Sequence, residues 1–587
     1  MQTARTEESH ATALPQFAAA EAFDLAMGHP LEGARPLSFQ QVMALDEGET
    51  YPRAPLSFLK EWGFQQYHIP VAHGGKLAAY DEFMMLVRLL AGRDLSTAVA
   101  ANITLLGGVT TWVAGTAEQK ERVAQWIAQG KHISFGLTEQ NHGSDLVANR
   151  LCAEKVDGGW LLTGEKWPIG DATQSSAMTV YARTDERGGP RGFSLFLVDK
   201  ETIDPQTWRP LPKIPTLGMR ASDVSGIAFD RCFVPDSALI GPLGAGIELA
   251  LKGLQLSRTM CGGLAMGAGD TALRVVTDFA LTRRLYGSPV LAIPHVQSTL
   301  AEAFADLLIA ECVTITGARA LHVVPDQLSV WSAIVKYLVP VTVEETIRRL
   351  SVVLGARYFL RDTHWEGIFQ KTYRDSGIVS VFEGSTVVQL HALAVQLRQL
   401  LSGRKAPVDA TPIFDLSAPL PGLQLSRLDL TAHGHDSAIA SLGHLEEALA
   451  ALNGDPSVEP ACLQDLLAHA RALQAELGAL KQDVDACANP GERSAEAFDL
   501  ARRFALIHAG AAALALWLHS RRNLDAFMAG GQWLALGLQR VLAQLRPSAV
   551  RRTSPWVKPV LDALVSLHEH DRLFSVTPVQ LAAKPVS

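Results

Sequence analysis

The hydrophobic pattern changes period along the chain. Over residues 56–63, 80–91, 97–113 and 117–129 apolar positions recur every three or four residues, the repeat of a helix with one buried face. Gly63 and Gly130 close two of these runs. Residues 69–75 hold a turn whose glycines permit positive φ. From residue 133 the runs shorten: 133–138, 151–156, 160–163, 177–183, 192–198 and 226–229 read as strands. Asp157-Gly158-Gly159 between two of them is a hairpin signal. The helical repeat returns over 247–283, 294–320, 326–354 and 386–402. Pro407, Pro412, Pro419 and Pro421 then mark a linker. Ala/Leu-rich helices fill the rest. The pattern predicts a mainly α chain with a β-domain: a helical domain over 1–130, a small barrel or sandwich over 131–245, a helical domain over 246–403, a linker over 404–424 and an extra helical domain over 425–587.

The length of 587 residues agrees with several domains, because one core does not grow that large. Hydrophobic content of 48% with 19% charged residues is ordinary globular composition. A net charge of -8 argues against a protein built to hold nucleic acid. Cys152, Cys232, Cys261, Cys312, Cys462 and Cys487 are scattered without a C-x-x-C pair, so neither zinc nor a disulfide framework is expected, and a reducing cytoplasm fits. The first 21 residues carry no signal-peptide run. The longest apolar stretch, 504–518, is short and interrupted by His508, which reads as a buried helix. Residues 500–587 hold eleven Lys/Arg against four Asp/Glu, so a peripheral membrane-surface contact is an expectation for that part alone.

Candidate chemistry concentrates in residues 373–386. A charged turn, Tyr373-Arg374-Asp375, is followed by the β-branched run 378–382, which delivers Glu383 beside Gly384. A helix follows, with Leu390, Leu393, Ala394, Leu397, Leu400 and Leu401 on one face and Ser385 or Thr386 as cap. Burial raises the pKa of such a carboxylate and a helix N-terminus lowers it. The residues alone allow a general base or a capping carboxylate. Residues 135–145 end a strand in hydroxyl and glycine positions, which suits either an ordinary loop or backbone N–H groups facing a ligand. Arg283 and Arg284, before Tyr286-Gly287, suit either a helix-end charge or a phosphate fork.

In their order, these segments resemble the acyl-CoA dehydrogenase family, and the long form with an extra C-terminal domain in particular. The resemblance is carried by Tyr373-Arg374-Asp375 with Phe382-Glu383-Gly384-Ser385, by Phe135-Gly136-Leu137-Thr138-Glu139, by Gly164-Glu165-Lys166-Trp167, by Leu217-Gly218-Met219-Arg220, by Ser257-Arg258 and by Arg283-x-x-Tyr286-Gly287. It implies FAD-dependent α,β-dehydrogenation of an acyl thioester on coenzyme A or a carrier protein, with Glu383 taking the α-proton. It assigns Phe135, Leu137, Thr138, Gly143, Ser144, Pro168, Ile169, Gly170, Arg283, Tyr286, Gly355 and Ser385 to the cofactor. It assigns Ser144, Ser257, Arg258, Phe382 and Gly384 to the substrate. It implies an electron-transferring flavoprotein as electron acceptor. The Ala/Leu helices of 425–587 must bury an apolar face, and the expectation is that they cover the surface short members use for tetramers and leave a homodimer. From the net charge no nucleic-acid partner is expected.

The chain departs from the family pattern at several places. Gln140 replaces a proline, and Trp167 falls one place early. Gly170 lacks the hydroxyl that the family turns toward flavin N5, which leaves room beside the ring. Pro294, Val352 and Ala356 replace residues that help to hold FAD across subunits. Ser257 stands where some members carry an alternative base. A family fold with shifted chemistry, monooxygenase-like, and a nucleic-acid-associated relative are the two alternatives. Glu383 counts against the first and the net charge against the second.

Overall fold

The computed structural model describes residues 14–402, 409–487, 493–546 and 554–584. Residues 1–13 of the expected first domain, 404–408 of the expected linker, and 488–492, 547–553 and 585–587 of the expected last domain lie outside the described residues.

The first part is helical: Ala18–Met27, Phe39–Glu47, Arg53–Trp62, Tyr80–Arg93, Leu95–Ala114 and Ala117–Ala128. Local chemistry sets their ends. Gly63, at φ 90°, closes Arg53–Trp62. The Asp94 carboxylate accepts the Ser96 and Thr97 amides and starts Leu95–Ala114. Thr116 and Gln119 form a reciprocal capping box ahead of Ala117–Ala128.

The middle part is one eight-stranded sheet. Its path runs Trp208–Leu211, Val224–Pro235, Gly159–Gly170, Cys152–Val156, Ala177–Arg183, Phe193–Asp199 and Leu239–Ile240, with Ile133–Gly136 parallel to Ala177–Arg183. The Asp157–Gly158 hairpin forms, and Val156 pairs with Gly159. The segment expected over 226–229 lies in the first half of the longer strand Val224–Pro235. Trp160, Phe196, Leu162, Val180 and Phe229 fill a core of the sheet's own.

Helices Gly246–Thr282, Pro294–Val323 and Leu328–Leu354 follow. They are apolar almost all round because neighbours cover every side. Ser437–Ala450, Pro460–Ala486, Ala495–Ser520, Gln532–Leu545 and Val557–Glu569 add a further layer. Their buried side chains join one hydrophobic cluster that begins at Phe17 and ends at Val579. Leu95–Ala114 and the span 495–523 are long and apolar enough to cross a bilayer, yet 78% and 89% of their apolar windows are buried in protein.

Two expectations change. The proline-rich stretch is not a loose tether. It contains the short helix Thr411–Phe414, and the buried Arg319 guanidinium donates to the carbonyls of Pro412, Asp415 and Ala418 at 2.8–2.9 Å. The charged turn and β-branched run before Glu383 are also replaced. Tyr373-Arg374-Asp375 ends the helix Ile368–Ser376, and residues 377–384 are turns. Tertiary ion pairs override β-propensity here.

Those ion pairs join the three parts of the molecule. Lys371 Nζ donates to Asp94 Oδ1 at 2.6 Å and to Asp375 Oδ2 at 2.5 Å. Asp375 Oδ1 accepts the Met219 amide of the β-domain at 2.6 Å. Arg374 donates to Asp46 at 2.7 Å and to the Leu217 carbonyl at 3.1 Å. Lys371 and Asp375 are almost fully buried, 2% and 1% exposed, so removing one partner strands the other. Lys371→Met or Asp375→Asn should each cost about 3–5 kcal/mol. Urea unfolding measures this, and the double variant should lose less than the sum of the two singles.

Candidate active site

Glu383 is positioned by its backbone. Its φ is 57°, a left-handed value for a residue with a side chain, and Gly384 follows at φ 101°. Gly384 also has no room for a side chain: a Cβ would stand 2.6 Å from Gln389 Nε2 and 3.3 Å from Arg258 Nη2. Three contacts hold this turn. Arg258 Nε donates to the Glu383 carbonyl at 3.0 Å. Gln389 Nε2, from the helix Thr386–Leu400, donates to the Gly384 carbonyl at 3.0 Å. Lys336 Nζ donates to the Val379 carbonyl at 2.7 Å. Ser385 occupies the N-cap position of that helix without a side-chain bond.

The carboxylate itself points inward, and Oε2 is buried without a hydrogen-bond partner. Burial pushes its pKa above the ordinary carboxylate value, and the Ser257 hydroxyl and the Lys336 and Arg258 cations pull back less strongly. The arrangement is a carboxylate whose buried Oε2 keeps a free basic lone pair, which suits proton abstraction rather than helix capping.

Lys336 and Tyr80 were missed by sequence reasoning. Lys336 is completely buried on Leu328–Leu354, with its ammonium 5.4 Å from the centre of the Phe382 ring, and burial lowers its pKa. A lysine inside the apolar run 328–340 was a signal that could have flagged it. Tyr80 donates to the Leu256 carbonyl at 2.7 Å and so fixes the helix at Ser257. Its position 176 residues away gave no local signal.

The second group surrounds the loop after Ile133–Gly136. Lys166, also fully buried, donates to Glu139 at 2.9 Å, to Asn149 at 2.8 Å and to the Leu137 carbonyl at 3.3 Å. Glu139 accepts the Arg150 and Leu151 amides. Burial lowers the Lys166 pKa to about 8, against the pull of Glu139. This brace holds the loop open on its outer side. Ser144 is exposed, and a Cβ at Gly143 would meet nothing within 4 Å.

Several predicted contacts need correction. The Thr138 hydroxyl donates to the Pro168 carbonyl at 3.0 Å, so toward a ligand it has only lone pairs left. Phe135 and Ile169, 5% and 3% exposed, pack into the two cores, and their backbones pair with Thr179 and Ser225 in the sheet, so neither side chain faces a cofactor. Leu137 is half-buried against the main core. Pro168 is exposed. The room expected beside Gly170 is taken: Ile103 Cδ1 lies 2.9 Å from where its Cβ would stand, so Gly170→Thr requires Ile103 to move.

The structure brings Phe382, Glu383, Gly384, Ser257 and Arg258 together. The helix Leu95–Ala114 links them to the loop group, because Asp94 at its start bonds Lys371 and Ile103 abuts Gly170. Arg283 and Tyr286 stand apart. They follow the end of Gly246–Thr282, 25 residues beyond Arg258, roughly 37 Å along the axis. Both are exposed, as is Gly355 at the end of Leu328–Leu354. They therefore lie away from the Glu383 turn of their own chain.

Comparison with known proteins follows the same division. Residues 38–131, 134–232 and 244–397 match the family models of the N-terminal, middle and C-terminal domains of acyl-CoA dehydrogenases. Benzylmalonyl-CoA dehydrogenase of Aromatoleum aromaticum is 33% identical over 265 residues, 45% of this chain and 69% of its own. A probable acyl-CoA dehydrogenase of Mycobacterium leprae is 27% identical over 347 residues, 59% of this chain and 87% of its own. Among solved structures, an acyl-CoA dehydrogenase from Bacillus anthracis complexed with FAD covers 96% of this chain and 98% of its own at 16% identity, with a TM-score of 0.65. The prolyl acyl carrier protein oxidase AnaB covers 65% of this chain and 99% of its own at 19% identity, with a TM-score of 0.58.

The raised pKa of Glu383 has a consequence for stability. Between the ordinary carboxylate value and the folded value the native state binds the extra proton, so stability falls as pH rises through that window. Above the window wild type carries a buried charge with an unpaired oxygen. Glu383→Gln should therefore be more stable than wild type at neutral pH, by about 1 kcal/mol. The difference should shrink as pH falls through the folded pKa, and urea titrations across pH measure it.

Proposed function

The chain belongs to the acyl-CoA dehydrogenase family, and from that premise we propose that it oxidises an acyl-CoA to the 2-enoyl thioester with Glu383 as the α-proton base. The observation that carries this reading is the unpaired, buried Oε2 of Glu383, held by a left-handed backbone beside Ser257. Strain of this kind is retained where the surroundings enforce a functional geometry.

The cofactor is FAD, which supplies the acceptor for the β-hydride when bound. The residues present fit it. The open face of residues 138–145 offers Ser144 and unhindered backbone at Gly143 to phosphate, and the Thr138 lone pairs and the 168–170 backbone line the approach to the ring. Arg283 and Gly355 fit the same cofactor in a second copy, so we propose a homodimer. Exposed apolar residues around them, Val352, Phe359 and Tyr286, support this.

In the proposed reaction Glu383 accepts the α-proton on its buried, unpaired Oε2. Its backbone N–H polarises the thioester carbonyl, which lowers the α-proton pKa into reach of a carboxylate. Arg258 and Gln389 keep both groups in place through the Glu383 and Gly384 carbonyls. As the proton arrives the carboxylate becomes neutral, and the negative charge moves to the thioester oxygen under the same Arg258 and Lys336 cations. Coenzyme A as carrier follows the names of the relatives, and a carrier-protein thioester is the second reading. An electron-transferring flavoprotein is the proposed electron acceptor.

The protein should be yellow and release FAD on denaturation. Glu383→Gln should keep its flavin and lose about 10²–10⁴-fold in the rate of flavin reduction by acyl-CoA. Stopped-flow bleaching measures this, and a near-normal rate in the variant would place the base elsewhere.

A further inference from the structure

A cavity of about 330 Å³ lies far from Glu383, where the C-terminal tail closes over the first helices and the distal half of Gly246–Thr282. Arg274 lines it, 16 residues beyond Arg258 on that helix, roughly 24 Å along the axis. The tail is pinned in place. Ala582 donates its amide to Asp24 at 2.8 Å, Val576 donates to Glu311 at 2.7 Å, and Arg88 donates to the Phe574 carbonyl at 2.8 Å. These tail residues lie beyond the segments matched to the family, so the cavity needs the C-terminal addition.

Most of its charges are already matched. Both Asp270 oxygens accept from Arg88. Asp24 accepts from Arg93 Nη2 at 2.7 Å and from Ala582. Asp278 is taken by His364, Trp365 and His568. Asp571 is half-buried and Glu569 exposed. Two donors remain. Arg93 is 6% exposed, and its Nη1 is buried without a partner. Arg274 lies flat on the Phe574 ring, 4.3 Å from its centre, and donates through Nη2 to the Arg572 carbonyl. Burial lowers the Arg274 pKa to about 10, although Asp270, Asp571 and Asp24 oppose it. A guanidinium only donates, so an acceptor must meet the free Nη1. His29, Thr271 and Thr282 also face the cavity, and the apolar part of its wall is Pro30, Phe39, Leu89, Leu281, Trp365 and Leu581.

We propose that this cavity binds a small organic anion, with its carboxylate or phosphate head on Arg93 Nη1 and Arg274 and its apolar body against Leu89, Leu281 and Trp365. The planar fork of arginine suits either head. A purely inorganic anion would leave the apolar wall unused. The site does not depend on the dehydrogenase reading, since no residue of the Glu383 pocket belongs to it.

Calorimetric titration of the holoprotein with octanoate, octyl phosphate and inorganic phosphate tests this, the first two distinguishing the head group. At least one organic anion should bind, and inorganic phosphate should bind much more weakly. Arg274→Met, which keeps a stem over Phe574, should weaken binding about 10–100-fold, the loss expected for a charged hydrogen bond. Arg274→Lys should retain part of it. Leu281→Trp, which fills the cavity and leaves both arginines, should abolish binding, and it carries the test if Arg274→Met fails to fold. Binding that survives both changes would put the anion elsewhere, the acyl pocket included, and overturn the proposal. So would the absence of binding by all three probes at millimolar concentration, or inorganic phosphate binding as tightly as octyl phosphate.

Discussion

The geometry of this protein depends on a buried cation with two carboxylates. Lys371 sits between Asp94 and Asp375, and Asp375 reaches on to the Met219 amide. The cluster joins three parts of the chain: Asp94 at a helix start, Lys371 and Asp375 on the helix before Glu383, and Met219 in a β-domain loop. A hydrophobic contact could slide; charge-assisted hydrogen bonds of 2.5–2.6 Å in a dry setting cannot without losing their partners. Burial raises the Asp375 pKa against the pull of Lys371, and the Lys371 pKa is raised by its two carboxylates. The cluster thus acts as a register pin. It fixes where residue 376 ends a helix, and the turns that follow then have one route to Glu383.

That route explains why Glu383 carries a left-handed backbone. The chain must leave one helix, pass over Lys336 and enter Thr386–Leu400 within ten residues, from Gly377 to Thr386. Lys336 on Val379 and Arg258 on the Glu383 carbonyl fix two points of the path. Gly384 resolves the remaining crowding, since its place beside Gln389 and Arg258 excludes a side chain. The cations that hold the backbone also lower the Glu383 pKa, while burial raises it more. Position and basicity therefore come from the same side chains.

What could be read beforehand follows from range. Helices with an amphipathic repeat and local caps, such as Ala117–Ala128 with its Thr116/Gln119 box, need nothing beyond their own residues. The hairpin at Asp157–Gly158 is equally local. Residues 373–383 were misread as turn and β-branched run, because what decides them lies at Asp94, Met219 and Lys336, far away in sequence. The stretch after Pro407 was misread as a linker for the same reason, since Arg319 holds it from another helix. Glu383 with Gly384 was legible from the motif. That Thr138 gives its proton to Pro168, and that Ile103 occupies the space beside Gly170, required the packed sheet and helix.

The long helix Gly246–Thr282 connects these observations. Near its start it presents Ser257 and Arg258 to Glu383, and at its far end it presents Arg274 and Asp278 to the C-terminal tail. A helix of 37 residues buried on nearly every side shifts only as a unit, because its neighbours are close-packed. Arg88 ties it down in the middle through Asp270, and Arg88 is itself tied to Glu311 and the Phe574 carbonyl. The tail is therefore continuous, through one ion-pair network, with the helix that holds the Glu383 turn. The C-terminal addition in this way packs against the helix that carries Ser257 and Arg258. Its Ala/Leu helices bury their apolar faces in the same core as the rest of the chain, while Ser257, Arg258 and the Glu383 turn lie within the parts shared with the family.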